Sequence, residues 1–496
     1  MQLAAPGTEP GAVAVYITGA LAGEARVPCK NFAPSSCAPC VKVAIAGSPP
    51  LKCGTKGSTL GRIVASVTKL ASIAALVVGL SLACPELAFP RPGLATAEAR
   101  TPLATTSSRE ILASFLSRSY APGAWARLRV TARASQLTLQ LFACGSGPSR
   151  RNFYGDAATE PVIIRWRTTG ATRTLAIKVL GWRSGLYFAR LVSPDGRMGY
   201  APFVLRARPL GSARVAIVLP TNTWQAYNFR DVNHDGVGDT WYADASIHTV
   251  NLTHPYLRGG MPSRFRAYDL GFLRWFATSV GSLRGSRLAR KAADFYADDD
   301  FARFPSGSWL ASHYDLIVFF HEEYVTRREY NLTQAYRNHG GNLAFLAANA
   351  FFYKVIKSGN LLYGRWRWRD LGRPEAALVG VQYLDWFRRI YDLDPYVVTG
   401  ARAAPWLFAG TGLRNGNRFG NFGIEIDHRT AASPRTTILL ARAPNIFGPG
   451  KTAEMTYYRM GRTKVFAAGV LNFGGSTRRT AVVSMLENIW AKLTVP

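Results

Sequence analysis

The sequence predicts an α/β protein in two parts, an antiparallel β-sandwich followed by a doubly wound parallel sheet. Three observations predict it. Across residues 119–208, short alternating runs follow one another between Pro-Gly, Gly-Ser, Thr-Gly and Pro-Asp-Gly turns, with no helical period. From residue 214 onward, continuous apolar runs such as VAIVL (215–219) and LIVFF (316–320) alternate with helix-like segments, as strands buried on both faces do. Residues 315–353 then join such a strand, a polar helix and a second apolar run into one βαβ unit.

Taken in order, residues 1–60 are rich in Ala, Gly, Pro and Ser without sustained periodicity, and read as disordered or as lying upstream of the true start. Residues 61–99 carry Arg62 and Lys69, an apolar run at 70–83, and small-residue sites at 95–97 and 97–99. That is the plan of a secretory signal peptide, with an uncleaved anchor as the alternative, and it predicts an exported protein, extracellular or envelope-associated. Residues 100–209 hold the sandwich, immunoglobulin-like in its strand spacing, in runs such as ARLRVTA, LTLQLFA, TLAIKVL and LYFARLV. Residues 210–496 hold the α/β part. Its predicted pieces are the strand 215–219, a third apolar strand with a helix-like partner at 269–278, and a helix over 327–338 stopped by Gly340 and Gly341. VVTG (397–400), TTILLAR (436–442), KVFAAGV (464–470) and a closing amphipathic helix at 482–493 complete it.

The chain has 496 residues and a formal charge of +30, from 60 Lys and Arg against 30 Asp and Glu. The excess is arginine scattered through structured segments, which suits a solvated face or attraction to an anionic cell envelope and excludes a dedicated nucleic-acid site. A homo-oligomer is compatible with it. Five of the six cysteines precede residue 90, so a chain cleaved there keeps only Cys144 and has no internal disulfide. The CAPC pair at 37–40 lacks the second pair that zinc requires.

Three constellations carry chemistry. His321, Glu322, Glu323 and Tyr324 end the strand 316–320, where ligands bind in open parallel sheets. Alternate residues share a side, so His321 and Glu323 face together, the pairing that a metal site or general base uses, while Glu322 reads as solvated. The TNTWQAYN segment (221–228) places Trp224, Tyr227 and Asn228 at the equivalent edge of the first strand. Asp231, Asn233, Asp235, Val237 and Asp239 follow the spacing of a calcium loop, with Gly236 at the sharp turn; Tyr242 stands where an EF-hand has its bidentate acid. An Asx-turn loop without an ion is the alternative. The acid run 298–300 and the Arg-Trp repeat 365–369 read as surface turns, and the glycine-rich stretch 410–423 as a loop. Neither a GxSxG elbow nor a Walker loop is present.

The order YAPG, SGLY, YAPFV, VLPTNTWQAYN, DLGFLRWF, HEEY, GGNLAFLAANAFFY and VFAAGVLNF, over residues 110–495, resembles the large (beta) subunit of N,N-dimethylformamidase and its secreted relatives. The resemblance implies a β-sandwich followed by a domain similar to class I glutamine amidotransferases without their cysteine nucleophile. It also implies a mononuclear iron held by Tyr227, Glu323 and a second tyrosine, with His321 as the neighbouring base. Tyr242 is the better match for that second tyrosine and Tyr256 the fallback. A hydrolase acting on a small-molecule amide or related C–N bond is the activity implied; a non-catalytic envelope or polysaccharide-binding protein that keeps the fold is the alternative.

Overall fold

A computed structural model describes residues 13–15, 110–146, 153–166, 170–278, 292–387 and 393–495. The segment read as a signal peptide or anchor lies outside them. Two sheets face each other over residues 112–205. One holds Val13–Val15, Thr172–Lys178, Trp125–Thr131 and Leu112–Phe115; the other holds Ser119–Tyr120, Met198–Leu205, Gly185–Val192, Gln136–Ala143 and Asp156–Ala157, with Val162–Arg165 also paired to Gln136–Ala143. Alternate residues point inward, so Leu128, Leu137, Leu139, Leu175, Ile177 and Leu191 form one buried core. The alternation predicts these strands; the two parallel pairs, Ser119–Tyr120 with Met198–Leu205 and Val13–Val15 with Thr172–Lys178, depart from an all-antiparallel sandwich.

The second part is a mixed sheet of nine strands. They are β1 (Val215–Leu219), β2 (Asp294–Ala297), β3 (Leu316–Phe319), β4 (Asn342–Phe345), β5 (Leu393–Val398), β6 (Arg418–Gly423), β7 (Ile438–Ala443), β8 (Ala453–Met460) and β9 (Thr463–Ala467). Their order is β2-β1-β3-β4-β9-β8-β7-β5-β6. The first five run parallel and the remainder antiparallel. Because side chains alternate, Val215, Ile217, Leu219, Leu316 and Val318 feed one core, while Ala216, Val218, Ile317 and Phe319 feed another on the opposite face. Helices α2 (Leu270–Thr278) and α4 (Thr480–Leu493) cover the first face, and α3 (Arg327–Asn338) covers the second. Short α1 (Thr221–Ala226) sits directly after β1.

α3 matches the span its sequence predicts. Thr326 caps it, accepting from the Glu329 amide, and Gly340 at φ +94° takes the left-handed turn beyond its end. Four readings are corrected. Residues 270–278 form helix α2, not a strand: over nine largely apolar residues, a buried strand and a buried helix look alike in sequence. Asp298 and Asp300 are buried, not in a surface turn. Their acid run starts a short helix that anchors to the sandwich, Asp299 pairing with Arg118 and Asp300 accepting from Ser119 Oγ at 2.7 Å and Arg206 at 3.2 Å. Within the Arg-Trp repeat, residues to Arg367 extend the strand Leu361–Arg367 and Trp368 is fully buried. The latter half of the stretch 410–423 is strand β6.

Candidate active site

The strand order β2-β1-β3 makes the chain leave β1 to one side and return beyond it to the other, so the gap between β1 and β3 is a switch point where a crevice opens. α1 and Tyr227 follow β1 there; His321 and Glu323 follow β3. All six α1 residues are buried, and their polar groups hold the surroundings. Thr223 Oγ1 accepts from the Glu323 amide at 3.2 Å, and Trp224 Nε1 donates to Asp269 Oδ2 at 3.2 Å. Gln225 Nε2 donates to the His254 carbonyl, and Asn228 Oδ1 accepts from the Leu257 amide. Much of the TNTWQAYN pattern is therefore scaffolding for Tyr227.

The Tyr227 hydroxyl donates to Glu323 Oε2 at 2.7 Å. The Tyr242 hydroxyl lies 3.1 Å from Glu323 Oε1, 3.2 Å from the Tyr227 hydroxyl, and against that of Tyr324. The two tyrosine rings stack at 4.7 Å and 16°. What brings Tyr242 back over Tyr227 is the loop 231–239, closed at its base by Asp239 N to Arg230 O and by Thr240 Oγ1 to Ala226 O. In that exposed loop Asp231 accepts from the His234 and Gly236 amides, Asn233 from the Asp235 amide, Asp235 from Val237 and Asp239 from Val232. Tyr256 lies elsewhere, beside Arg118 and Asp298.

His321 Nε2 stands 3.4 Å from Glu323 Oε2 and 3.6 Å from Glu425 Oε2, and is aligned for a hydrogen bond to neither. Burial disfavours its charge, but the two carboxylates outweigh that and push the imidazole up to about 10. Glu425 is absent from the sequence reading. It begins the strand Glu425–His428, and Ile424 before it holds φ +71°, a strained value for a β-branched residue. A lone glutamate more than 100 positions from the HEEY run gives no local signal.

Tyr227, Tyr242, His321 and Glu425 line a cavity of about 100 Å³ with Thr223, Asp269, Trp386, Phe387 and Leu471. Asp269 was unassigned in the sequence; burial pushes its carboxyl up to about 7, against the pull of His321 and Trp224. Glu322 is not solvated. Only 1% exposed, it faces away from His321 and Glu323 toward Asp298, and burial together with the Asp298 charge raises its carboxyl well above the ordinary carboxylate range. Tyr324 opens a three-residue strand, Tyr324–Thr326.

Among the described residues no group of three His, Cys, Asp or Glu side chains is placed to hold a metal. The donor set here is phenol and carboxylate: the Tyr227 and Tyr242 hydroxyls lie 3.2 Å apart, and each meets a different oxygen of Glu323, at 2.7 and 3.1 Å. Burial and the Glu323 charge raise both phenols far above their ordinary range. A bound cation reverses that effect, so this all-oxygen set could hold a hard ion.

Residues 156–361 and 356–483 match the family profile described as N,N-dimethylformamidase beta subunit-like, C-terminal. No curated protein matches the chain. Among solved structures, a β-galactosidase from Bacillus circulans sp. alkalophilus is 12% identical with a TM-score of 0.31, aligning 56% of this chain with 31% of its own. A β-galactosidase from Rahnella sp. R3 is 12% identical with a TM-score of 0.32, over 57% of this chain and 32% of that one. The chain thus spans about a third of those enzymes.

Proposed function

The chain belongs to the N,N-dimethylformamidase beta subunit-like, C-terminal family, and on that premise we propose that it is an exported, metal-dependent hydrolase of a small amide or related C–N bond. The same proposal takes its two parts as an immunoglobulin-like sandwich and a class I glutamine amidotransferase-like domain. The observation that carries it is the meeting of Tyr227, Tyr242, His321 and Glu425 around one small cavity, with Glu323 hydrogen-bonded to both tyrosines.

Tyr227, Tyr242 and Glu323 would hold a mononuclear iron. When bound, such an ion supplies Lewis acidity toward an amide carbonyl and a water molecule. The chain's own groups supply the rest. Glu425 Oε2 is buried without a hydrogen-bond partner and lines the cavity, where it takes the proton from the attacking water. His321 Nε2, between the two carboxylates, delivers a proton to the departing amine nitrogen. Trp386, Phe387 and Leu471 exclude bulk water and limit the substrate to a small molecule.

Metal analysis of the purified chain tests this reading: iron accompanies the parent protein and is lost in Glu323→Ala, and iron absent from both would sink it. A structural calcium in the loop 231–239 is a separate proposal. Added calcium should raise the melting temperature of the parent protein and leave that of Asp235→Ala unchanged. Export rests on residues 61–99; N-terminal sequencing of secreted material should find the chain beginning after Ala97 or Ala99.

A further inference from the structure

A second cleft, of about 600 Å³, opens away from the candidate active site. Five cationic side chains line it, Arg303, Arg327, Arg328, Lys354 and Lys357, against the single carboxylate of Asp299. Three different elements converge to build it. Arg303 follows the short acid helix Asp298–Phe301, Arg327 and Arg328 open α3, and the lysines stand on the strand Tyr353–Ser358. Lys354 and Lys357 are three positions apart and would face opposite sides of a regular strand. Both nevertheless border the cleft, the Lys354 ammonium lying 5.2 Å from the centre of the Trp366 ring and the Lys357 ammonium beside Asp299.

The charges are only partly answered within the protein. Asp299 is shared between Arg118 and Lys357, the latter at 2.9 Å. Arg328 donates to the carbonyls of Phe304 and Pro305, which fixes the segment carrying Arg303 against α3. No described side chain partners the guanidinium of Arg303 or of Arg327. Lys357 loses basicity through burial and through the nearby charges of Arg118 and Arg303, the response of a cation crowded by others. Exposed arginines ordinarily spread out into solvent; here they are collected around a concave volume with exposed Ile356 at its wall.

We propose that this cleft binds a soluble oligo-oxyanion, a ligand carrying two or more phosphate or carboxylate groups. Guanidinium forks match both groups by paired N–H···O bonds, and the lysines add point charges that follow no fixed geometry. At about 600 Å³ the cleft has room for a ligand with more than one anionic group. None of the five cations lines the active-site cavity, and occupation of the cleft is independent of the amide reading.

The test is calorimetric titration of the full chain with tripolyphosphate and, separately, with citrate, at low and at moderate salt. At least one should bind, with affinity falling as salt rises; which one binds tells phosphate from carboxylate. Arg303→Ala/Arg327→Ala should weaken binding about tenfold or more. Both residues are exposed and unpartnered, so this variant should keep the parent melting temperature. A control, Arg402→Ala/Arg414→Ala, removes the same charge from exposed positions outside the cleft and should bind as the parent does. Equal affinity in the first variant, equal loss in the control, or binding only to anionic phospholipid vesicles and to neither soluble anion would overturn the proposal.

Discussion

At the scale of single residues, the strand end at 321–323 divides its chemistry by alternation. His321 and Glu323 meet the tyrosines; Glu322 turns to Asp298 on the other side. Glu425→Gln keeps shape and removes the basic oxygen, so kcat for amide hydrolysis should fall at least about a hundredfold with iron content unchanged. Glu322→Gln makes a different prediction. A carboxyl whose folded value is raised above its ordinary 4.5 contributes fully below pH 4.5, and its contribution is lost as pH rises toward the folded value. The amide does not titrate. The melting temperature of Glu322→Gln relative to the parent should therefore climb from pH 4.5 upward, and a constant difference across pH would show that Glu322 is ionised in the fold. Sequence made His321, Glu323 and Tyr227 legible because each ends or follows an apolar run. Glu425 and Asp269 were illegible because tertiary folding alone brings them to the cavity, and Glu322 because nothing local tells a buried acid from a solvated one.

At the scale of elements, strands were read best. β1 and α3 agree with their runs to the residue, since five apolar residues between polar signals are too few for a buried helix and a polar helix with a cap and a glycine stop is bounded at both ends. α2 failed because a short, largely apolar run fits a buried strand and a buried helix alike. The end of α3 gives a sharp test. A Cβ at Gly340 would meet Arg462 Nε at 1.9 Å, and its φ of +94° disfavours any side chain. Gly340→Ala should cost about 1 kcal/mol or more in urea unfolding, with the strain felt first where α3 turns into β4.

At the scale of the whole molecule, the two parts share a core. Leu186, Phe188 and Val204 of the sandwich belong to the same buried cluster as Val215, Phe265 and Leu270, and the Phe188 ring lies 5.6 Å from that of Phe265. Unfolding should be a single cooperative thermal transition, and Phe188→Ala should lower it by about 3–5 kcal/mol without splitting it; two resolved transitions would contradict the shared core. Nothing in the alternating runs announced this union, because a strand's outward positions look alike whether water or a neighbouring layer covers them. The shared core also bears on inheritance. A gene that took up only the stretch encoding the nine-stranded sheet would receive an uncovered apolar face around Phe265. Recombination and protein engineering alike should therefore find the sandwich and the sheet transferable as one cassette and insoluble as separate gifts.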